Sequence, residues 1–467
     1  MTDAPSSAPP PASAAPVSPA LVARARASEQ GHVVREVAPR RGLLRGAAAP
    51  QGRLSLRLNV SWTFAGNVVY AACQWGVLMV LARLGSPELV GQYALGLAIA
   101  APVFLLANLQ LRSLQAIDVE AEHAFADYLG LRVATTLAAV LVVLGILGAA
   151  GYAAATAWVA VCITLAKAVE AFSDVMYGQL QQHERMDRVA RSYLLRGPLM
   201  LAVIGGVLYA SGDLVLAVAA AAVGSLLVLM LHDAPVTARH VSSLRPRWNA
   251  RVARRIAWVA LPLGIVTMLM ALNVNVPRYF LQATLGERGV GFYSALVYLV
   301  VPLSTVVNAL GQATSPALAR RWVDGDRAAY RALLVKMLLV AAGLGGAGIA
   351  GALLLGEWAL GLAYGSEYAF LAPLLVIVMV AALVEIVASV LCYAMTSMRL
   401  FRQQLAMFVL VLAATLGCAA ALVPPMGIAG GVAALLVGRV VFLLVAGAFV
   451  APRLRPAASD GSAAHQR

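Results

Sequence analysis

Apolar residues fall in blocks of about 20 along most of this chain, separated by short charged or Gly/Pro/Ser-rich breaks. A hydrocarbon core of roughly 30 Å is crossed by about 20 helical residues, so each block predicts a membrane-spanning helix. The predicted spans are 59–82, 91–111, 128–148, 155–177, 192–210 and 214–232, then 256–277, 290–316, 333–355, 368–393, 401–422 and 428–450. Short alternating strands, the signature of an outer-membrane barrel, are not seen. The predicted fold class is an all-α integral membrane protein with twelve transmembrane helices.

The chain also repeats itself. At an offset of 200 residues, Val90, Gly91, Tyr93, Pro102 and Asn108 coincide with Val290, Gly291, Tyr293, Pro302 and Asn308. A second alignment sets Ala166, Val169, Glu170 and Val175 over Ala381, Val384, Glu385 and Val390. Six spans per half bring both halves into the membrane from the same side, so the expected pseudo-symmetry axis lies along the membrane normal. The predicted organisation is a cytoplasmic Ala/Pro/Arg-rich disordered tail (1–58), an N-terminal half (59–232), a basic linker (233–255), a C-terminal half (256–450) and a short tail (451–467).

Composition agrees: 61% of residues are hydrophobic and 12% charged, far from a soluble domain. The net charge of +14 is explained by topology. Of 35 Lys and Arg, 30 fall in the tails or in alternate connections, which places both termini in the cytoplasm and the protein in a bacterial inner membrane. No nucleic-acid partner is needed. Cys73, Cys162, Cys392 and Cys418 lie within spans without metal-ligand spacing, so neither disulfides nor a metal site is expected.

Charges inside the apolar blocks carry the candidate chemistry. Lys167, Glu170, Asp174 and Tyr177 are spaced to share one helical stripe. A charge at mid-bilayer costs roughly 2.5–3.5 kcal/mol, so this stripe faces the protein interior or a wet cavity. The plainer alternative is a Lys167–Glu170 pair that neutralises itself and glues helices. Further polar faces are Asn67, Tyr70 and Gln74, then Asn275, Arg278 and Gln282, then Ser304, Asn308 and Gln312. Singly, each reads as interhelical hydrogen bonding. Together with Glu385 and Arg439 they predict a hydrophilic cavity between the halves. Arg439 reads either as a cavity cation or as half of a structural ion pair. Arg83 reads as a rim residue, an alternative open to Arg278 too, Trp62 and Trp258 as interfacial aromatics, and Pro102, Pro262, Pro302 and Pro373 as bending points.

Enzymatic chemistry finds little support. There is no phosphate-binding G-x-x-x-x-G-K-[ST], only two lysines exist (Lys167 and Lys336), and the six histidines form no H-E-x-x-H set. No cofactor is expected, and transport remains.

Three stretches carry a family likeness: LARLGSPELVGQYALGLAIAAPVFLLANLQLRSLQAID, YGQLQQHERMDRVARSYLLRG and ALPLGIVTMLMALNVNVPRYFLQATLGERGVGFYSAL. Residues from about 57 to 451 resemble the polysaccharide or lipopolysaccharide (O-antigen type) flippases of the multidrug/oligosaccharidyl-lipid/polysaccharide exporter superfamily. Twelve expected spans depart from the fourteen of that superfamily's peptidoglycan lipid flippases. The resemblance implies two pseudo-symmetric six-helix bundles around a central cavity, alternating access, and an isoprenoid-diphosphate-linked oligosaccharide as substrate. Membrane lipids, a polysaccharide polymerase and glycosyltransferases are the implied partners. On this reading Lys167, Arg439, Arg278, Asn67, Gln74 and Asn308 bind substrate, while Glu170, Glu385 and Asp174 couple transport to an ion. The rivals are a cation-coupled drug or metabolite antiporter of the same fold and a membrane enzyme acting on lipid-linked glycans.

Overall fold

A computed structural model describes residues 55–118 and 122–454, so the expected tails lie outside the described residues except at 55–58 and 451–454. All regular structure among the described residues is helical. In chain order the helices are α1 (Leu56–Leu84), α2 (Pro87–Asn108), α3 (Leu111–Ile117), α4 (Phe125–Ala150), α5 (Ala154–Gln182), α6 (Met186–Ser211) and α7 (Leu214–Val228). A π-helical turn (Leu229–Asp233) leads from α7 into α8 (Ala234–Ala238). Then come α9 (Ala250–Tyr298), α10 (Val301–Val323), α11 (Arg327–Tyr364), a 3-10 turn (Ser366–Leu371), α12 (Ala372–Ser397), α13 (Phe401–Met426) and α14 (Ile428–Leu454).

Eleven helices among the described residues are long and apolar enough to cross a bilayer. This is a multi-pass membrane protein. The count is eleven because α9, at 49 residues, is taken once although it contains a kink at Gly286 (φ 67°, ψ −163°), and because α10 is the more polar remainder of the eighth expected span. Helix starts follow capping rules. Ser55 caps α1, Asp213 accepts from the Val215 and Leu216 amides at 2.7 and 3.2 Å, and Pro87 occupies the first turn of α2.

Ten expected spans lie on helix throughout; the second and the eighth, the pair linked by the repeat, are interrupted. In the second, Leu109 (φ 51°) and Gln110 (φ 50°) turn left-handed between α2 and α3. In the eighth, the helix tightens at Leu299–Val300, whose amides bond three residues back to Leu296 and Val297. Pro302 follows directly and has no amide to offer Tyr298. Of the other expected bending points, Pro102 and Pro262 lie inside helices, whereas Pro373 sits in the first turn of α12, where its missing N–H costs nothing. The expected linker is shorter than 233–255, since helix persists to Ala238 and resumes at Ala250.

The outer faces are apolar. Leu137, Leu141 and Leu144 on α4, and Leu339, Leu353 and Leu354 on α11, are exposed at helical spacing, as lipid contact requires. Helices before residue 239 pack mainly on one another, α1 on α6, α2 on α4 and α5, and α7 on α5 and α6. Those after 249 do likewise, with α12 against α10, α11 and α14, and α13 against α9 and α14. The two sets meet chiefly along α2 and α9.

That seam is a backbone crossing at Gly91 and Gly291. A methyl group on Gly91 would sit 1.8 Å from the Glu287 carbonyl oxygen, and one on Gly291 would sit 1.9 Å from the Pro87 carbonyl oxygen. Residues 87 and 287, like 91 and 291, are related by the 200-residue repeat. The contact is therefore self-complementary, as across a two-fold axis. Only glycine lets the backbones approach this closely.

Outside the spans, the connection 239–249 lies across the start of α4. The Arg247 amide donates to Ala126 O at 2.8 Å, and its guanidinium clasps Asp127 at 2.7 and 2.6 Å. That carboxylate holds the guanidinium above its ordinary pKa.

Candidate functional site

Helix α5 organises the polar interior. Lys167 Nζ donates to Glu170 Oε2 at 2.7 Å, and Tyr70 OH from α1 donates to Glu170 Oε1 at 3.2 Å. The self-neutralising pair read from the spacing is thus formed. It is not fully enclosed: both side chains keep roughly a fifth of their surface accessible (23% and 22%). They line two adjoining cavities.

The first cavity, about 340 Å³, is walled by Gln74, Tyr93, Lys167, Glu170, Asn275, Arg278 and Tyr298, among others. The second, about 300 Å³, shares Ala101, Lys167 and Glu170 with it and extends past Asn108, Asp174, Tyr177 and Arg196. A third, about 250 Å³, shares Val274, Val297 and Val301 with the first and is lined by Ser304, Asn308, Glu385 and Arg439. The second and third each share walls with the first; the first borders residues from both halves of the chain, the second is lined from the first half and the third from the second.

The expected site residues divide accordingly. Lys167, Glu170, Gln74 and Arg278 meet at the first cavity, Asp174 lies in the second, and Asn308, Glu385 and Arg439 in the third. Arg439 Nε lies 3.2 Å from Glu385 Oε2, so Arg439 is ion-paired while also lining a void. Asn67 is exposed and lines none of the three. Asp174 pairs with Arg132 of α4 at 3.1 Å, and Arg132 also donates to Asn108 Oδ1.

Arg278 differs from the other cavity cations. It is buried, donating to Asn275 Oδ1 at 2.6 Å and Ser294 Oγ at 3.0 Å, and its guanidinium sits 5.7 and 5.8 Å from the rings of Tyr293 and Tyr298. Among the described residues no carboxylate lies within ion-pair distance of it, whereas Lys167, Arg196 and Arg439 each have one. The three cavities together present four cations and three carboxylates.

Sequence reasoning missed Arg132, Arg196 and Asp233. Arg196 donates to Ser173 Oγ at 2.7 Å and Asp233 Oδ2 at 3.1 Å, entirely inside the protein. Counting charges near the ends of apolar blocks as loop charges hides them. Arg132 lies two turns inside α4, because that helix starts at Phe125 and not at 128.

A second polar set closes the other end of α5. Thr156, eleven residues before Lys167 and hence about 16 Å away along the helix, donates to Glu287, which also accepts from Gln92 at 2.8 Å. Trp75 Nε1 donates to Tyr364 OH at 2.9 Å, and Arg83 donates to the carbonyls of Gly361 and Leu362. Arg288 bridges Glu367 and Glu88. Each of these bonds, save Arg288–Glu367, links the first half of the chain to the second. They gather around the Gly91–Gly291 crossing.

Residues 56–322 match the family described as polysaccharide biosynthesis protein. The chain belongs to that family. A relative within reach of sequence comparison is the capsular polysaccharide biosynthesis protein CapF of Staphylococcus aureus, 25% identical over 312 residues, which is 66% of this chain and 78% of CapF. Among solved structures, the lipid II flippase MurJ in an inward closed conformation superposes with a TM-score of 0.67 at 12% identity, covering 85% of this chain and 87% of MurJ. A multidrug resistance MATE family transporter of the MOP superfamily, inward-facing, gives 0.61 at 15% identity, over 86% and 95% of the two chains. This polysaccharide biosynthesis family member therefore has the fold shared by those transporters.

Proposed function

We propose that the protein is a lipid-linked oligosaccharide flippase of cell-surface polysaccharide biosynthesis, working by alternating access between two six-helix bundles, 59–232 and 256–450. The observation that carries this reading is Arg278, a buried guanidinium without an acidic partner among the described residues, facing the same cavity as Lys167. A buried cation left uncompensated by the protein is suited to an anionic ligand. An isoprenoid diphosphate supplies that charge, its glycan needs the surrounding hydroxyl, amide and carboxamide partners, and its hydrocarbon tail belongs in lipid. Glycan hydroxyls cost roughly 2 kcal/mol or more each if buried unpaired, so a polar cavity is what makes their crossing feasible.

Alternating access is supported by the arrangement of polar groups along α5. Cavities line its middle and far end, while the bonds around Glu287, Arg83 and Trp75 tie the halves together at its start. On the charge distribution of the connections, the tied end is periplasmic and the cavities belong to an inward-facing state, with both termini in the cytoplasm of a bacterial cell. Glu170, Glu385 and Asp174 are the carboxylates available for coupling to an ion. The family name and the MurJ and CapF likenesses favour a glycolipid over the drug antiporter.

The test is Arg278→Ala in cells that depend on this protein for surface polysaccharide. Losing a charge-assisted contact of about 2 kcal/mol weakens headgroup binding by more than tenfold. Surface polysaccharide should fall and lipid-linked oligosaccharide accumulate on the cytoplasmic leaflet, at unchanged protein level. Normal polysaccharide with altered drug tolerance would assign the antiporter role instead.

A further inference from the structure

On the lipid side of α5, opposite Lys167 and Glu170, lies the largest of the described cavities, about 830 Å³. It is lined by α4 (Leu129, Val133), by Leu165, Val169 and Phe172 of α5, and by α7 and the π turn after it, with Leu244 and Pro246 of the connection at one end. Its walls are almost wholly apolar, and Leu165, Val223, Leu226 and Met230 are exposed along its mouth. A groove of this kind in a membrane helix bundle is filled by a hydrocarbon chain.

Two further observations say which kind of lipid. The π turn Leu229–Asp233 puts Leu229 and Met230 into the groove wall while turning Asp233 inward to Arg196. Such turns are rare and concentrate at functional sites. The groove's end at Leu244 and Pro246 lies in the basic stretch between the sixth and seventh spans. There Arg245, Arg251 and Arg254 are exposed, and no carboxylate pairs with any of them among the described residues. The amino end of α9, capped by Asn249, opens in the same stretch and adds its own positive potential. Exposed Trp248 and Trp258 stand beside these arginines, as interfacial aromatics do.

The seam between α4 and α5 runs beside this groove, which shares no lining residue with the three polar cavities. Arg132, next to Val133, is fully buried and joins Asp174 and Asn108 across it. That ion pair stands between a chain in the groove and a head held at Lys167.

We propose that this groove is a binding site for an anionic phospholipid of the surrounding bilayer, with one acyl chain between α4, α5 and α7 and its phosphate at Arg245, Arg251 and Arg254. The bound lipid braces α5, the helix that carries the polar stripe.

The experiment is native mass spectrometry of the purified full-length protein exchanged into micelles holding equimolar phosphatidylglycerol and phosphatidylcholine. Phosphatidylglycerol should be retained preferentially. The variant Arg245→Gln/Arg251→Gln/Arg254→Gln should lose that preference by roughly a hundredfold. Ala222→Phe, which fills the groove without touching a charge, should reduce retention of both lipids. Equal retention of the two headgroups by the wild type, or unchanged retention in Ala222→Phe, overturns the proposal. Displacement of phosphatidylglycerol by a polyprenyl diphosphate at equal concentration overturns it too, reassigning the groove to the transported lipid.

Discussion

Arg439 and Glu385 show what a charge pair inside a membrane protein does at the scale of one residue. The guanidinium is buried and the carboxylate partly open to the third cavity. Removing one partner leaves the other uncompensated in a poorly solvated place, which typically costs about 3–5 kcal/mol, whereas removing both is far milder. Glu385→Ala should therefore lower the thermal unfolding temperature of the purified protein, and Glu385→Leu/Arg439→Leu should restore it. Transport in the double variant separates the two roles: a restored fold that still moves polysaccharide would leave the pair purely structural. Arg278 calls for a different replacement. Its fork is held by Asn275 and Ser294, so Arg278→Lys keeps the charge and loses the geometry. Transport by Arg278→Lys should lie between wild type and Arg278→Ala, read as the leaflet distribution of the proposed lipid-linked oligosaccharide. These residues were visible in the sequence because a charge within an apolar block stands out. Their partners were harder to see. Arg132 and Arg196 lie near block ends, where a cation also makes sense in the headgroup layer.

At the scale of helices, the Gly91–Gly291 crossing is the contact on which the seam between the halves depends. Any side chain there meets backbone, which cannot swing aside as a flexible side chain can. Gly91→Leu and Gly291→Leu should each hold the two helices apart and abolish transport while membrane insertion persists. Surface polysaccharide assayed alongside protein level checks this; normal polysaccharide in both variants would show the close approach to be dispensable. The pairing of residues 91 and 291 was legible as a repeat, but repetition alone says nothing about contact. That the two copies touch each other follows from how the halves are docked. The interruptions at Leu109–Gln110 and Leu299–Val300 were not legible either. Pro102 and Pro302 marked the right spans, yet the first break falls seven residues beyond its proline.

For the molecule as a whole, the alternating access proposed above puts the balance between facing states on the bonds near Glu287. A neutral hydrogen bond contributes about 1 kcal/mol net, so losing two or three shifts a two-state equilibrium by roughly tenfold or more. Trp75→Phe combined with Arg83→Ala should favour the outward-facing state. A cysteine placed at Asn308 in a background lacking the four native cysteines should then react faster with an impermeant reagent added outside the cell. Unchanged labelling would mean that these bonds do not govern the equilibrium.

Block length and hydropathy pointed to helices, because only helices and closed barrels satisfy backbone hydrogen bonds in lipid and the alternation of barrel strands is not seen, and the placement of arginines predicts an orientation. The same residues also marked the interior charges, since lipid does not tolerate them. What the sequence left open was association: which charge meets which, which cavities share walls, and that Arg278 alone among the cavity cations lacks a carboxylate neighbour among the described residues. Helix faces in a bilayer carry no strong polar-outside signal, so packing partners are chosen by shape and by a few polar contacts far apart in the chain, and only the tertiary structure decides those.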